Sequence, residues 1–106
     1  MTGSHVPPEL LDSIVAYFDP QQVILFGSAA RRGAEPGSDI DLLVVLDDDA
    51  PLEKLTAKAV HEARRDYRHA VDLIACRASA LRSRARAIGS FAHIVLRDGI
   101  TVYERP

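Results

Sequence analysis

The chain has 106 residues, 47% of them apolar, with a net charge of −2 and one cysteine. That length holds one modest core, and that composition argues against a disordered chain. No apolar run approaches the roughly 18 residues a membrane span needs, and a lone Cys76 cannot form an internal disulfide, so a cytoplasmic protein is expected.

Residues 1–6 read as a flexible N-terminus and 7–106 as the domain. Pro7-Pro8-Glu9 opens a helix, because proline is tolerated in a first turn and glutamate suits the positive end of the dipole. Leu10, Ile14 and Phe18 recur every four residues to form its apolar stripe, and Asp19-Pro20 ends it. A strand is predicted at about 22–26, then a short helix from Ser28 to Arg32 stopped by Gly33, and a turn at Pro36-Gly37.

From Asp39 to Leu46 the pattern is two acids followed by residues apolar on both faces, as in a central strand covered on both sides. Asp47-Asp48-Asp49 stops that strand and offers a capping carboxylate to a helix led by Pro51, with Leu52, Leu55, Ala59, Ala63 and Tyr67 on one face. Val71–Cys76 reads as a third strand. A helix over about 79–96 is weakened at Gly89-Ser90, and Ile100–Tyr103 forms a last strand after a turn at 97–99. The alternation predicts an α/β (in some schemes α+β) domain, a twisted sheet with packed helices.

Charge is unevenly spread. Residues 1–50 carry two arginines against nine acids, while 77–106 carry six basic residues against two acidic ones. Arg82, Arg84 and Arg86 suit a solvated helix face, and nothing demands nucleic-acid binding. Cys76 lies in an apolar run as a small hydrophobe, and His61 and His69 read as solvent-facing.

The chemistry concentrates in Gly27-Ser28 and Asp39-Ile40-Asp41. Side chains two apart in a strand share a face, so Asp39 and Asp41 project together while Ile40 faces the other layer. Two adjacent carboxylates repel unless a cation neutralises them, and Mg²⁺ accepts one or two carboxylates plus waters and phosphates. Glycine lets backbone approach an anion closely, Ser28 adds a hydroxyl donor, and Arg31 lies one helical turn on to steady phosphate charge. Asp72 sits inside an apolar run, where an unpaired charge is costly to bury. If its strand neighbours 39–46, Asp39, Asp41 and Asp72 form a three-acid cluster able to hold two metals. Attack of a hydroxyl on an α-phosphorus would then expel pyrophosphate toward Gly27-Ser28.

Phe26-Gly27-Ser28, Gly37-Ser38-Asp39-Ile40-Asp41-Leu42-Leu43-Val44, Val71-Asp72-Leu73-Ile74 and the tail 96–104 resemble the minimal nucleotidyltransferases (MNT domains) of the DNA polymerase beta superfamily. The resemblance implies a polymerase-beta-like fold, Mg²⁺ at Asp39, Asp41 and Asp72, and a nucleotide triphosphate at Gly27 and Ser28. One departure stands out: Arg32 occupies a place where such sequences commonly have glycine. Many such domains are antitoxins paired with a HEPN-family toxin and are thought to transfer AMP from ATP to a toxin tyrosine. The lack of a second, substrate-binding domain suits a protein acceptor. The rival readings are a binding module that neutralises its partner by contact, a small-molecule nucleotidyltransferase, and a nucleotide sensor.

Overall fold

The computed structural model describes residues 6–27 and 40–106. The expected helix over Ser28–Arg32, the turn within 34–38 and Asp39 therefore lie outside the described residues. Helix α1 spans Pro8–Phe18 and buries Leu10, Ile14 and Phe18, the stripe set by their four-residue spacing. It ends where Asp19 turns left-handed at φ 48°.

Strand β1, Gln22–Phe26, pairs antiparallel with β2, Ile40–Leu46. Strand β3, Val71–Arg77, runs parallel to β2, and β4, Ile100–Glu104, pairs antiparallel with β1. The order β3-β2-β1-β4 makes a mixed sheet with β2 and β1 central. That placement explains why Leu42 through Leu46 are apolar at every position: Leu42, Val44 and Leu46 pack under one layer, Leu43 and Val45 under the other. The first layer holds α1 and α2, Ala57–Ala63. The second holds α3, Ala78–Ala85, and α4, Phe91–Asp98.

Two expectations about helices need correction. The single helix expected after Pro51 is a 3₁₀ turn, Leu52–Leu55, followed by α2, and Tyr67 lies beyond it. Thr56 causes the break: extended at φ −97°, it accepts the Ala59 N–H and caps α2 itself. The aspartate triplet serves distant partners instead. Asp48 accepts the Ser79 N–H at 2.9 Å, so the carboxylate expected to cap the next helix caps α3, 31 residues along the chain. Its carboxyl is held below its ordinary value of 3.8, first by that backbone bond.

The expected weakness at Gly89-Ser90 is a complete break. Gly89 takes φ 86°, and Ser90 caps α4 by accepting the His93 N–H at 3.1 Å.

Asp47 ties the far end of the sheet together, accepting from Arg105 at 2.7 Å and from Gln21 at 2.8 Å. The Arg105 guanidinium, then Gln21, holds its carboxyl below the ordinary 3.8. A value depressed by folding stabilises fully above pH 3.8, and the stabilisation is lost as pH falls through the lower folded value. Asp47→Asn is therefore expected to lower the melting temperature at neutral pH, with the difference shrinking as pH falls below 3.8. Melting curves across that range check it.

Candidate active site

The candidate site is built at one end of the sheet by register. Asp41 and Asp72 are direct partners across the parallel β2–β3 pair, and Phe26 is the partner of Asp41 across β1–β2. Neighbouring strands lie about 4.8 Å apart, so the two aspartates stand side by side. Both face the α3–α4 layer, because Ile40, Leu42, Val71 and Leu73, which alternate with them, are buried on the α1–α2 side. Across the end of the sheet the sequence of groups is Asp72, Asp41, then the backbone of Gly27.

Gly27 is fitted to this place for two reasons. Its φ of 78° is one that side chains with a Cβ rarely adopt. A Cβ there would also collide with Asp41 Oδ2, so bare backbone abuts the carboxylate directly. A strand end that needs glycine on both counts is open to close approach by an anion bound beside the acid.

Asp41 is half-buried and Asp72 is exposed. The exposure of Asp72 corrects the expectation drawn from its apolar run. β3 is at the edge of the sheet and Asp72 is its second residue, on a face where the next residue, Ile74, is exposed as well. No desolvation cost has to be met there. The argument for a role for Asp72 passes from burial to its alignment with Asp41.

Ser28, Arg31 and Asp39 lie outside the described residues. Among the described residues no group of three His, Cys, Asp or Glu is placed to hold a metal. Asp41 and Asp72 form a pair, and a carboxylate pair completed by waters and substrate phosphates is the donor set Mg²⁺ accepts. The hard oxygen ligands, their alignment and the open end of the sheet fit that ion.

Residues without a motif support this end of the sheet. Arg64, at the end of α2, donates to the carbonyls of Tyr67 at 2.8 Å, His69 at 3.1 Å and Val71 at 3.0 Å. It thereby fixes the chain entering β3, one residue before Asp72. Nothing in the sequence separates it from exposed Arg65 beside it. Charge-assisted hydrogen bonds contribute about 1.5–3 kcal/mol each when intact and are not additive. Arg64→Met is expected to cost about 2 kcal/mol in urea unfolding and to slow any reaction that needs Asp72. On the β1 side, Phe26 meets Phe91 edge-to-face at 5.2 Å and holds the start of α4 beside Gly27.

The histidines and arginines expected at the surface are found there. His61 and His69 are exposed, as are Arg82, Arg84 and Arg86. Cys76 is half-buried, and burial pushes its thiol upward, away from the reactive thiolate. No helix among the described residues is long and apolar enough to cross a membrane.

The family model for the nucleotidyltransferase domain matches residues 8–94, from the start of α1 into α4, and so includes all three aspartates and the Gly-Ser turn. The chain belongs to the nucleotidyltransferase domain family. Its fold is similar to the crystal structure of a candidate nucleotidyltransferase from Sulfolobus solfataricus, with TM-score 0.58 and 21% identity over 92% of this chain and 76% of that one. A looser similarity, with TM-score 0.48 and 22% identity over 94% of this chain and 75% of the other, is to a chain of a toxin–antitoxin structure with AMP-PNP. No curated protein matches the sequence. The four-stranded mixed sheet with flanking helices is consistent with the polymerase-beta-like nucleotidyltransferase fold.

Proposed function

We propose that this nucleotidyltransferase domain moves AMP from ATP to a hydroxyl on a partner protein, with Mg²⁺ held by Asp41 and Asp72 together with Asp39. The observation that carries the reading is the in-register pairing of Asp41 with Asp72, with Gly27 backbone against Asp41. Under this proposal the acceptor lies on the β3 side and the phosphates on the β1 side, supported by the order Asp72, Asp41, Gly27 across the end of the sheet. In this reading Gly27, Ser28 and Arg31 bind the triphosphate, and Asp72 lies next to the attacking hydroxyl. The acceptor oxygen forms a bond to the α-phosphorus, the bond to the β-phosphate oxygen breaks, and pyrophosphate departs on the Gly27 side. The hydroxyl proton passes to the carboxylate side of the site. Bound Mg²⁺, as one or two ions, would supply charge neutralisation for the phosphates and a lowered acceptor pKa.

The partner we propose is a HEPN-family toxin whose tyrosine accepts the AMP, which makes the domain an antitoxin. The support is the resemblance of its motif residues to MNT domains, together with its membership of the nucleotidyltransferase family. ATP labelled at the α-phosphate, Mg²⁺ and the product of the adjoining reading frame should give a labelled partner. Absence of label from ATP and every other nucleoside triphosphate would overturn the reading. Neutralisation of the partner that survives Asp41→Ala would assign the effect to contact alone.

A further inference from the structure

On the acid-bearing face of the sheet, an open groove of about 440 Å³ runs between β3 and the α3–α4 pair. It is lined by Leu43, Ile74, Leu81, Phe91 and Ala92, with Arg84 among its lining residues. Leu43 and Ile74 each follow an acid, Asp41 and Asp72, by two residues on the same strand and the same face. The groove therefore begins about 7 Å from the acid pair along β2 and β3, and Phe91, which lines it, also stands beside Phe26 and Gly27.

The lining is unusually open for apolar groups: Ile74 is 41% exposed and Phe91 51%. Ile88, next in the chain after the lining residue Ala87, is a further apolar side chain, 90% exposed. Large apolar side chains left open in and beside one groove suit a macromolecular contact. The lining of the groove carries one charge, that of Arg84, and the carboxylates of Asp41 and Asp72 lie beyond its strand end. Arg84 and Arg86 on this helical segment are exposed and make no ion pair among the described residues.

We propose that this groove seats an amphipathic helix of the partner protein, apolar toward Ile74 and Phe91 and acidic toward Arg84 and Arg86, and that this helix delivers the acceptor hydroxyl to Asp72. The inference rests on the transfer reading above and adds where the acceptor docks. An amphipathic helix laid in an apolar groove uses anchors at i, i+3 or i+4 and i+7. Acidic residues flanking those anchors meet the arginines, which sets orientation and encounter rate.

The test uses the full chain and the protein encoded by the adjoining reading frame, with partner binding by calorimetry, ATP binding and label transfer measured separately. Ile74→Glu and Arg84→Glu should each weaken partner binding at least about tenfold, corresponding to 1.4 kcal/mol, and raise the KM for the partner. ATP affinity and the melting temperature should stay unchanged. Arg84 is exposed, so its reversal gives a readout independent of core packing. Equal partner binding by both variants and wild type would overturn the inference, as would a wild-type chain that does not bind this protein. Weaker ATP binding in the Ile74 variant would assign the groove to the nucleotide and overturn it. A wild-type dimer that Ile74→Glu converts to monomer would assign the groove to a second copy, again overturning it. Partner binding that depends on the groove, with no label transferred from any nucleotide, would uphold the docking site while removing the transfer reading.

Discussion

Asp41→Asn is expected to reduce nucleotidyl transfer by more than about a hundredfold while leaving the fold intact. Removing a group that merely orients a metal ligand costs roughly 10–100-fold, and Asp41 is proposed as a ligand itself. The substitution keeps the shape of the side chain and removes only its charge. Asp41 is half-buried at the end of β2, beyond the packed run Leu42–Leu46, so the core does not depend on its ionisation. Asp72→Asn should give a loss of the same order. Combining the two should cost far less than the product of the single effects, because groups acting as one unit are non-additive. Transfer rates and Mg²⁺ titration of the three variants check this. Undiminished activity in Asp41→Asn would remove the site from this end of the sheet.

Gly27→Ala should lower activity by about a hundredfold, and Gly89→Ala should leave it near wild type. Both glycines have strongly positive φ, 78° and 86°, so both variants bear a similar backbone cost of about 1–2 kcal/mol. They differ in what the new methyl group meets. At Gly89 nothing lies within 4 Å, whereas at Gly27 it collides with Asp41 Oδ2. The Asp41 side chain must move, and a displacement of about 1 Å in a catalytic group is enough for a hundredfold loss. Melting temperatures of the pair measure the shared strain, and their difference in activity isolates the carboxylate. Equal activity in the two variants would mean that the close approach of Gly27 to Asp41 has no catalytic consequence.

Local rules decide several elements of this fold. The four-residue stripe of α1 and the bounds of β1 appear as their spacing and composition dictate. The all-apolar run of β2 identified a central strand, and the weak point at Gly89-Ser90 marked a helix boundary. Rules of that kind failed where side chains chose partners far along the chain. Asp48 could have capped the neighbouring helix by sequence, yet it caps α3, because the strand end brings it to Ser79. Arg64 was indistinguishable from Arg65 until the path of the chain into β3 placed three carbonyls around it.

The site divides along the same line. The amino-acid sequence by itself determined which groups are available: acids two apart in the chain, a glycine at the end of β1, and a third acid near the start of a later strand. These are consequences of strand periodicity and glycine's missing Cβ, which act within a few residues. Only the tertiary structure decided that β3 lies parallel beside β2 with Asp72 opposite Asp41, and that Asp72 is exposed rather than buried. It also decided that an apolar groove bordered by Arg84 opens near that pair. Strand order and register follow from how two helical layers share the two faces of one sheet, a balance of burial over the whole domain that no local pattern encodes.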